Sequence, residues 1–133
     1  MRGDDGFGPA VVDELRGLPG CVLIDAGTTP ENHSGPIVRA QPDLVVILDA
    51  AEMGETSGTL KLFQDARTAS TVSAGTHSMS LDMLATYLQE RTGAKTALLV
   101  AQPENVDFGA KMSHRVKEAV SAASLALRVA IEG

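Results

Sequence analysis

Aromatic residues and cysteine are scarce in this 133-residue chain. It has no Trp, and its aromatic residues are three Phe and one Tyr. A core without many bulky rings is built from Val, Leu, Ile and Ala, as in sheets that helices cover on both faces. The single cysteine, Cys21, excludes a disulfide within the chain and a four-thiolate zinc site.

Basic residues and long apolar stretches are also few. The chain has 11 Lys and Arg against 17 Asp and Glu, a formal net charge of −6. This balance argues against nucleic acid and anionic membranes as partners, because both are bound by clustered Lys and Arg. No apolar run approaches the roughly 20 residues of a membrane span, and no signal peptide pattern is present. We expect a soluble cytoplasmic protein with one domain over residues 1–133.

Short apolar runs predict the strands of this domain. Three of them, residues 21–24, 44–48 and 96–101, are typical of strands buried on both faces. Residues 58–64 alternate apolar and polar side chains, which favours a half-exposed edge strand.

Apolar residues at helical spacing predict helices between these strands. One helix follows Pro9 and includes Val11, Leu15 and Leu18, and a second follows Ser78 or Ser80 and ends before Gly93. Gly35 and Pro36 permit only a short helix within residues 30–41. The last helix begins near Ser113, and its apolar stripe is Val116, Val120, Ala123, Leu127 and Ala130. Strands alternating with helices predict an α/β sandwich with a mostly parallel sheet.

Acidic residues lie where such a fold binds ligands. Asp25 and Asp49 each follow a predicted strand, at the strand end where open α/β sheets place their sites. Either residue alone is also explained by hydrogen bonds from loop amides. Asp4 and Asp5 lie between glycines, and their charges repel each other unless a cation or amides compensate them. Asp5 can instead cap the helix that follows.

His77 is the histidine best placed for chemistry. It lies at or just before the start of a predicted helix, where the helix dipole disfavours the imidazolium form. A neutral imidazole binds metals or accepts a proton, although an ordinary loop histidine is an equal alternative. We interpret His33 and His114 as solvent-exposed, and Cys21 as a core residue.

Asp5, Asp49 and His77 form a candidate site if the fold brings three loops to one edge of the sheet. Two carboxylates and an imidazole suit a borderline divalent ion such as Zn²⁺ or Ni²⁺ better than Ca²⁺ or Cu⁺. Three protein ligands leave coordination positions open for substrate or water. A phosphate site in the glycine-rich loop is a poorer interpretation, because its two carboxylates repel phosphate.

Five segments follow one another along the whole chain, at residues 3–9, 25–32, 48–54, 76–81 and 102–104. Together they resemble those of the hydrogenase maturation proteases, the endopeptidases that trim the C-terminal tail of nickel–iron hydrogenase large subunits. The segment Thr-Pro-Glu-Asn at 29–32 and the segment Asp-Ala-Ala-Glu-Met-Gly at 49–54 most resemble the branch that serves formate-hydrogenlyase-type hydrogenases.

This resemblance implies a three-layer α/β/α sandwich around a five-stranded sheet. It also implies that Asp5, Asp49 and His77 are the metal-binding and catalytic residues. The metal is nickel already inserted in the partner, the hydrogenase large-subunit precursor. No tightly bound organic cofactor is implied, and we expect a monomer.

Two mechanisms stay open for this peptidase. In the first, the nickel of the substrate polarises the bond that is cut. In the second, the carboxylates act as general acid and base on a water molecule, as in an aspartic protease. Asp4 then tunes Asp5 by repulsion.

The family's first strand ends in Gly-Asn before the Gly-Asp-Asp loop, and we expect this strand to be absent here, because the sequence begins inside that motif. In the family it lies between the strands that correspond to residues 21–25 and 44–49. We therefore expect a domain truncated at its N-terminus, with two exposed inner strand edges. An upstream apolar segment, where the gene encodes one, is expected to raise the melting temperature.

Two other functions stay open. The first is a non-catalytic maturation factor of the same fold, which recognises the metal centre of the precursor without cutting it. The second is a nucleotide-binding or small-molecule-binding α/β protein, for which only the glycine-rich loop argues.

Overall fold

The secondary structure alternates helices and strands, as the sequence predicts. The computed structural model describes residues 3–17, 20–25, 34–65, 81–104 and 111–132. None of the helices described there is long and apolar enough to cross a membrane. The elements, in chain order, are a short 3₁₀ turn (Gly3–Gly6), α1 (Phe7–Glu14), β1 (Cys21–Asp25), α2 (Ser34–Ala40), β2 (Leu44–Ala50), β3 (Leu60–Phe63), α3 (Leu81–Thr92), β4 (Lys95–Ala101) and α4 (His114–Glu132).

The four strands form one mostly parallel sheet in the order β1-β2-β4-β3. Strands β1, β2 and β4 are mutually parallel, and β3 runs antiparallel to β4 at the edge. The apolar runs predicted as buried strands include β2 and β4, the two central strands. The alternating segment 58–64 contains β3, so its prediction as an edge strand is confirmed.

The expectation of two exposed inner strand edges is wrong in this structure. β1 and β2 pair directly, from Cys21 opposite Leu44 to Asp25 opposite Leu48. The backbone N–H and C=O groups of these two edges therefore bond to each other. The described sheet has four strands, whereas the resemblance implies five.

Side chains of the central strands alternate between two cores on opposite faces of the sheet. On β2, Val45 and Ile47 join the core beneath α2 and α3, which we call the α2–α3 face. Val46 and Leu48 join the core beneath α1 and α4, the α1–α4 face. Helices on both faces make the three-layer α/β/α sandwich, and the predicted fold class is confirmed.

The helix ends follow local sequence signals. Gly93 adopts a φ of +74° directly after α3, and its N–H donates to the carbonyl of Gln89 at 2.8 Å. Ser113 precedes α4, as predicted, and its hydroxyl accepts a hydrogen bond from the N–H of Val116 at 3.4 Å. The proposed caps Ser78 and Ser80 lie outside the described residues, as does Leu18.

One residue of the predicted α4 stripe is misplaced. Val116, Val120 and Ala123 are buried as expected, but Ala130 is exposed. Leu127 and Ile131 continue the contact with the core at a spacing of four residues. This spacing turns the apolar face of the last turn away from Ala130.

Candidate functional site

Two acidic residues reach the same edge of the sheet at the ends of β1 and β2. Asp25 is paired with Leu48, and Asp49 follows one residue further along β2. Asp49 is 3% exposed, whereas Asp25 is half-buried. Strand alternation places Asp49 on the α2–α3 face, the face of Val45 and Ile47, and Asp25 on the α1–α4 face.

The Gly3–Gly6 turn and the start of α1 lie directly against these strand ends. A Cβ atom at Gly8 would overlap with Oδ1 of Asp25 and would lie 3.2 Å from the carbonyl oxygen of Leu48. Glycine is therefore required for so close an approach. The turn itself contacts β2. Asp5 is thus carried to the edge of the sheet where Asp25 and Asp49 lie.

The adjacent acids Asp4 and Asp5 have different environments. Asp4 is completely buried, and its carboxylate accepts hydrogen bonds from the N–H of Glu104 and from the N–H and hydroxyl of Ser113, at 2.7, 2.7 and 2.9 Å. These donors compensate the burial of its charge. Asp5 is half-buried. The N-cap of α1 is Gly6, which no side chain caps, so the helix-capping alternative for Asp5 is not supported.

A buried amide organises the loop that follows Asp49. Gln102, just after β4, is 3% exposed. Its Oε1 atom accepts hydrogen bonds from the N–H groups of Met53 and Glu55 at 2.7 and 3.3 Å, and its Nε2 atom donates to Glu52 at 2.7 Å. The N–H of Gly54 and then the Gln102 amide hold the pKa of the Glu52 carboxyl below its ordinary value.

Sequence reasoning missed the roles of Asp4 and Gln102. Gln102 entered only as part of a motif, and Asp4 only as a neighbour that repels Asp5. One signal was available for Gln102, because it is a polar residue that directly follows a buried strand. No local signal separates Asp4 from Asp5, since the donors to Asp4 come from residues about 100 positions away.

The predicted trio of Asp5, Asp49 and His77 is only partly within the described structure. Asp5 and Asp49 reach the same edge of the sheet, but His77 lies outside the described residues, as does His33. Within the described ranges, no three His, Cys, Asp or Glu side chains are grouped so that they could hold a metal ion. A metal site that includes His77 therefore stays a prediction.

Two further candidate residues, His114 and Cys21, lie within the described part of the chain. The His114 side chain is 87% exposed and lies 2.8 Å from Glu118, which confirms its prediction as a solvent-exposed histidine. Burial raises the pKa of the Cys21 thiol to about 11. Little thiolate therefore forms at neutral pH, and Cys21 is a poor nucleophile.

This chain is similar in sequence to a known protein family. Residues 10–128 match the family model of the hydrogenase maturation protease HycI. The hydrogenase 3 maturation protease of Escherichia coli K12 is 34% identical over 122 residues, which cover 90% of this chain and 78% of that protein.

Two solved structures share the fold. The crystal structure of a [NiFe] hydrogenase maturation protease HycI from Thermococcus kodakarensis KOD1 is 30% identical, with a TM-score of 0.82 over 99% of this chain and 86% of that chain. The solution structure of the endopeptidase HycI from Escherichia coli is 30% identical, with a TM-score of 0.78 over 97% of this chain and 83% of that chain.

Proposed function

This chain belongs to the hydrogenase maturation protease family (HycI), and we propose that it removes the C-terminal tail of a nickel–iron hydrogenase large-subunit precursor after nickel insertion. The proposed substrate belongs to the formate-hydrogenlyase type, which the similarity to the hydrogenase 3 maturation protease supports. The proposed enzyme acts as a cytoplasmic monomer, without a tightly bound organic cofactor.

One structural observation links the proposed activity to particular residues. Asp5, on the Gly3–Gly6 turn, and Asp49, at the end of β2, belong to segments in contact at the carboxyl edge of a parallel sheet. Ligands of open α/β sheets bind at this edge. We propose that Asp5, Asp49 and His77 are the residues that contact the nickel of the precursor and carry the cleavage.

The carboxylates have two possible tasks in this reaction. In the first, Asp5, Asp49 and His77 complete the coordination of the substrate's nickel, which polarises the peptide bond that is cut. In the second, one carboxylate accepts a proton from the attacking water, and a protonated acid donates one to the departing amine. Both tasks need the oxygen atoms of Asp5 and Asp49 directed over the edge of the sheet.

The decisive experiment is a processing assay followed by intact mass spectrometry. A purified large-subunit precursor loaded with nickel is incubated with the protein, beside a nickel-free precursor as control. We expect the loaded precursor to lose the mass of its C-terminal tail. Asp49→Asn and His77→Ala are expected to lower the rate by about 100-fold or more. Asp13→Asn, at an exposed position on α1, serves as the matched control with unchanged processing.

The possible results separate the competing functions. Tail removal by His77→Ala at the wild-type rate would reject His77 as part of the site. A stable complex with the loaded precursor, without loss of mass, would identify a non-catalytic factor that recognises the metal centre. Circular dichroism of each variant must show the wild-type spectrum and melting temperature.

A further inference from the structure

Two buried polar side chains, Asp4 and Gln102, bond to the segments that carry Asp5 and Asp49. Asp4 is completely buried, and Gln102 is 3% exposed. Buried polar groups are expensive unless hydrogen bonds satisfy them, and a satisfied network fixes the geometry of the segments that it joins. Both side chains bond to backbone groups that are distant in sequence.

Asp4 anchors the turn that carries Asp5. Its Oδ2 atom accepts hydrogen bonds from the N–H of Glu104 and the hydroxyl of Ser113, and its Oδ1 atom accepts one from the N–H of Ser113. Charge-assisted bonds of this kind are about twice as strong as neutral ones. The Gly3–Gly6 turn is therefore fixed both to the segment after β4 and to the start of α4.

Gln102 anchors the loop that follows Asp49. In addition to its bonds to Met53, Glu55 and Glu52, its Nε2 atom lies 3.3 Å from the carbonyl of Pro103. Its backbone pairs with the far end of the same loop, since the N–H of Gly58 donates to the Gln102 carbonyl at 2.8 Å. Gln102 therefore forms hydrogen bonds with both ends of the loop between β2 and β3.

These two anchors meet in one short segment. Gln102 and Glu104 are two residues apart, directly after β4. We infer that the segment 102–104 positions the proposed site: the Glu104 N–H fixes the Asp5 turn through Asp4, and the Gln102 side chain fixes the loop after Asp49. Asp4 and Gln102 act as positioning residues. The inference rests on the proposed function for the reacting roles of Asp5 and Asp49.

The first measurement is hydrogen exchange of backbone amides by NMR, which needs no substrate. In Asp4→Asn we expect the Glu104 and Ser113 amides to exchange about tenfold faster or more, the change expected when a charge-assisted hydrogen bond is lost. In Gln102→Glu we expect the same for the Met53 amide, because the new carboxylate faces Glu52 and is repelled. Asp13→Asn is the control, because the Asp13 side chain is 66% exposed.

A double substitution supplies the rescue. Gln102→Glu combined with Glu52→Gln exchanges the carboxylate and the amide. This removes the repulsion between positions 52 and 102 and allows a hydrogen bond between them, with the carbonyl oxygen of the position-52 amide left as the acceptor for the N–H of Gly54. We expect this pair to recover slow exchange at Met53. Glu52→Gln alone keeps an acceptor for the Gln102 amide and is expected to resemble the wild type.

The second measurement is tail removal from the nickel-loaded precursor, with kcat and KM determined separately. Asp4→Asn and Gln102→Glu are expected to lower kcat about 10- to 100-fold through misplacement of Asp5 and Asp49. KM is expected to change less than about threefold, and the double substitution is expected to restore kcat. Val120→Ala lowers stability in the α1–α4 core without touching either anchor, so its kcat is expected to be unchanged.

The outcomes decide between the inference and the proposed function. Wild-type exchange and kcat in both Asp4→Asn and Gln102→Glu would overturn the inference, as would an equal loss of kcat in Val120→Ala. A wild-type protein that leaves the precursor intact overturns the proposed function, and amide exchange then decides the inference alone. If Asp4→Asn does not fold, Ser113→Ala replaces it. This substitution keeps both backbone donors to Asp4 but removes the hydroxyl, which donates to Asp4 and also accepts the N–H of Val116, so exchange of the Glu104 amide is then the readout.

Discussion

The missing side chain at Gly8 sets how closely the first helix approaches the sheet. Any larger residue there meets the carboxylate of Asp25 and, at 3.2 Å, the backbone carbonyl oxygen of Leu48, which cannot move without a shift of β2. The distance between the Asp5 turn and the strand ends therefore depends on one residue without a Cβ atom.

Gly8→Ala is expected to lower the free energy of unfolding by about 1–3 kcal/mol, the usual effect of adding a methyl group to a packed site. Processing of the nickel-loaded precursor is expected to fall as well, since the turn is displaced. Urea denaturation measures the first effect. Gly35→Ala is the control, because its new Cβ meets only the guanidinium end of Arg39 at 3.3 Å. Equal stability of Gly8→Ala and the wild type would contradict the close packing at Gly8.

At this scale the sequence identifies residue types better than residue roles. Asp49 could be selected because an acid directly follows a five-residue apolar run, and the structure places it at a strand end as expected. Asp4 and Asp5 are adjacent and chemically alike. Their difference arises from donors on the segment 102–104 and at the start of α4, which only the folded chain brings near.

Among the described strands, β3 carries the most exposed apolar side chain. It lies at the edge of the sheet beside β4, and Leu62 on it is 57% exposed. An edge strand with an exposed apolar side chain invites pairing with another chain. Lys61 on the same strand forms an ion pair with Glu55 at 2.8 Å, which places some charge there.

Leu62→Lys is expected to reduce self-association at high concentration, as measured by light scattering, with a change in unfolding free energy within about 0.5 kcal/mol. Leu60→Lys is the matched control on the same face of the same strand. Leu60 packs against the α1–α4 core, so its replacement is expected to destabilise the fold. Unchanged scattering by Leu62→Lys would show that this edge does not drive association.

The local sequence predicts the positions of the strands well, but it does not predict which strands lie next to each other in the sheet. The runs 21–24, 44–48 and 96–101 correspond to β1, β2 and β4, because continuous apolar runs closed by Asp or polar residues are typical of buried parallel strands. The direct pairing of β1 with β2 was not predicted. Strand order depends on which edges meet across the sheet, and nothing within residues 21–25 encodes the identity of the adjacent strand.

For the whole molecule, the sheet separates two cores that do not share side chains. Ile37 of α2 packs on one face, and Val116 of α4 packs on the other. Both cores depend on the same strands β2 and β4. We therefore expect the two cores to unfold in one transition. Conservative substitutions in one core are expected to change the free energy of unfolding independently of substitutions in the other.

Ile37→Val is expected to cost about 1 kcal/mol, and Val116→Ala about 2 kcal/mol, from the apolar groups that they remove. The double variant is expected to lose the sum within about 0.5 kcal/mol, because the two sites have no common partner. Urea denaturation followed by fluorescence of Tyr87 and by circular dichroism should give coincident transitions. A coupling above about 1 kcal/mol, or two separate transitions, would contradict this description.

The opposite orientation of Asp25 and Asp49 at adjacent strand ends has a practical consequence. We expect a molecule that contacts both carboxylates to approach over the carboxyl ends of the strands, because the described helices pack on the two faces of the sheet. Glu90 is exposed in the last turn of α3, shortly before β4 begins at Lys95, and so lies near the amino end of the strands, opposite the carboxyl edge. A fluorescent dye attached through Glu90→Cys should therefore report on docking of a large protein without obstructing it.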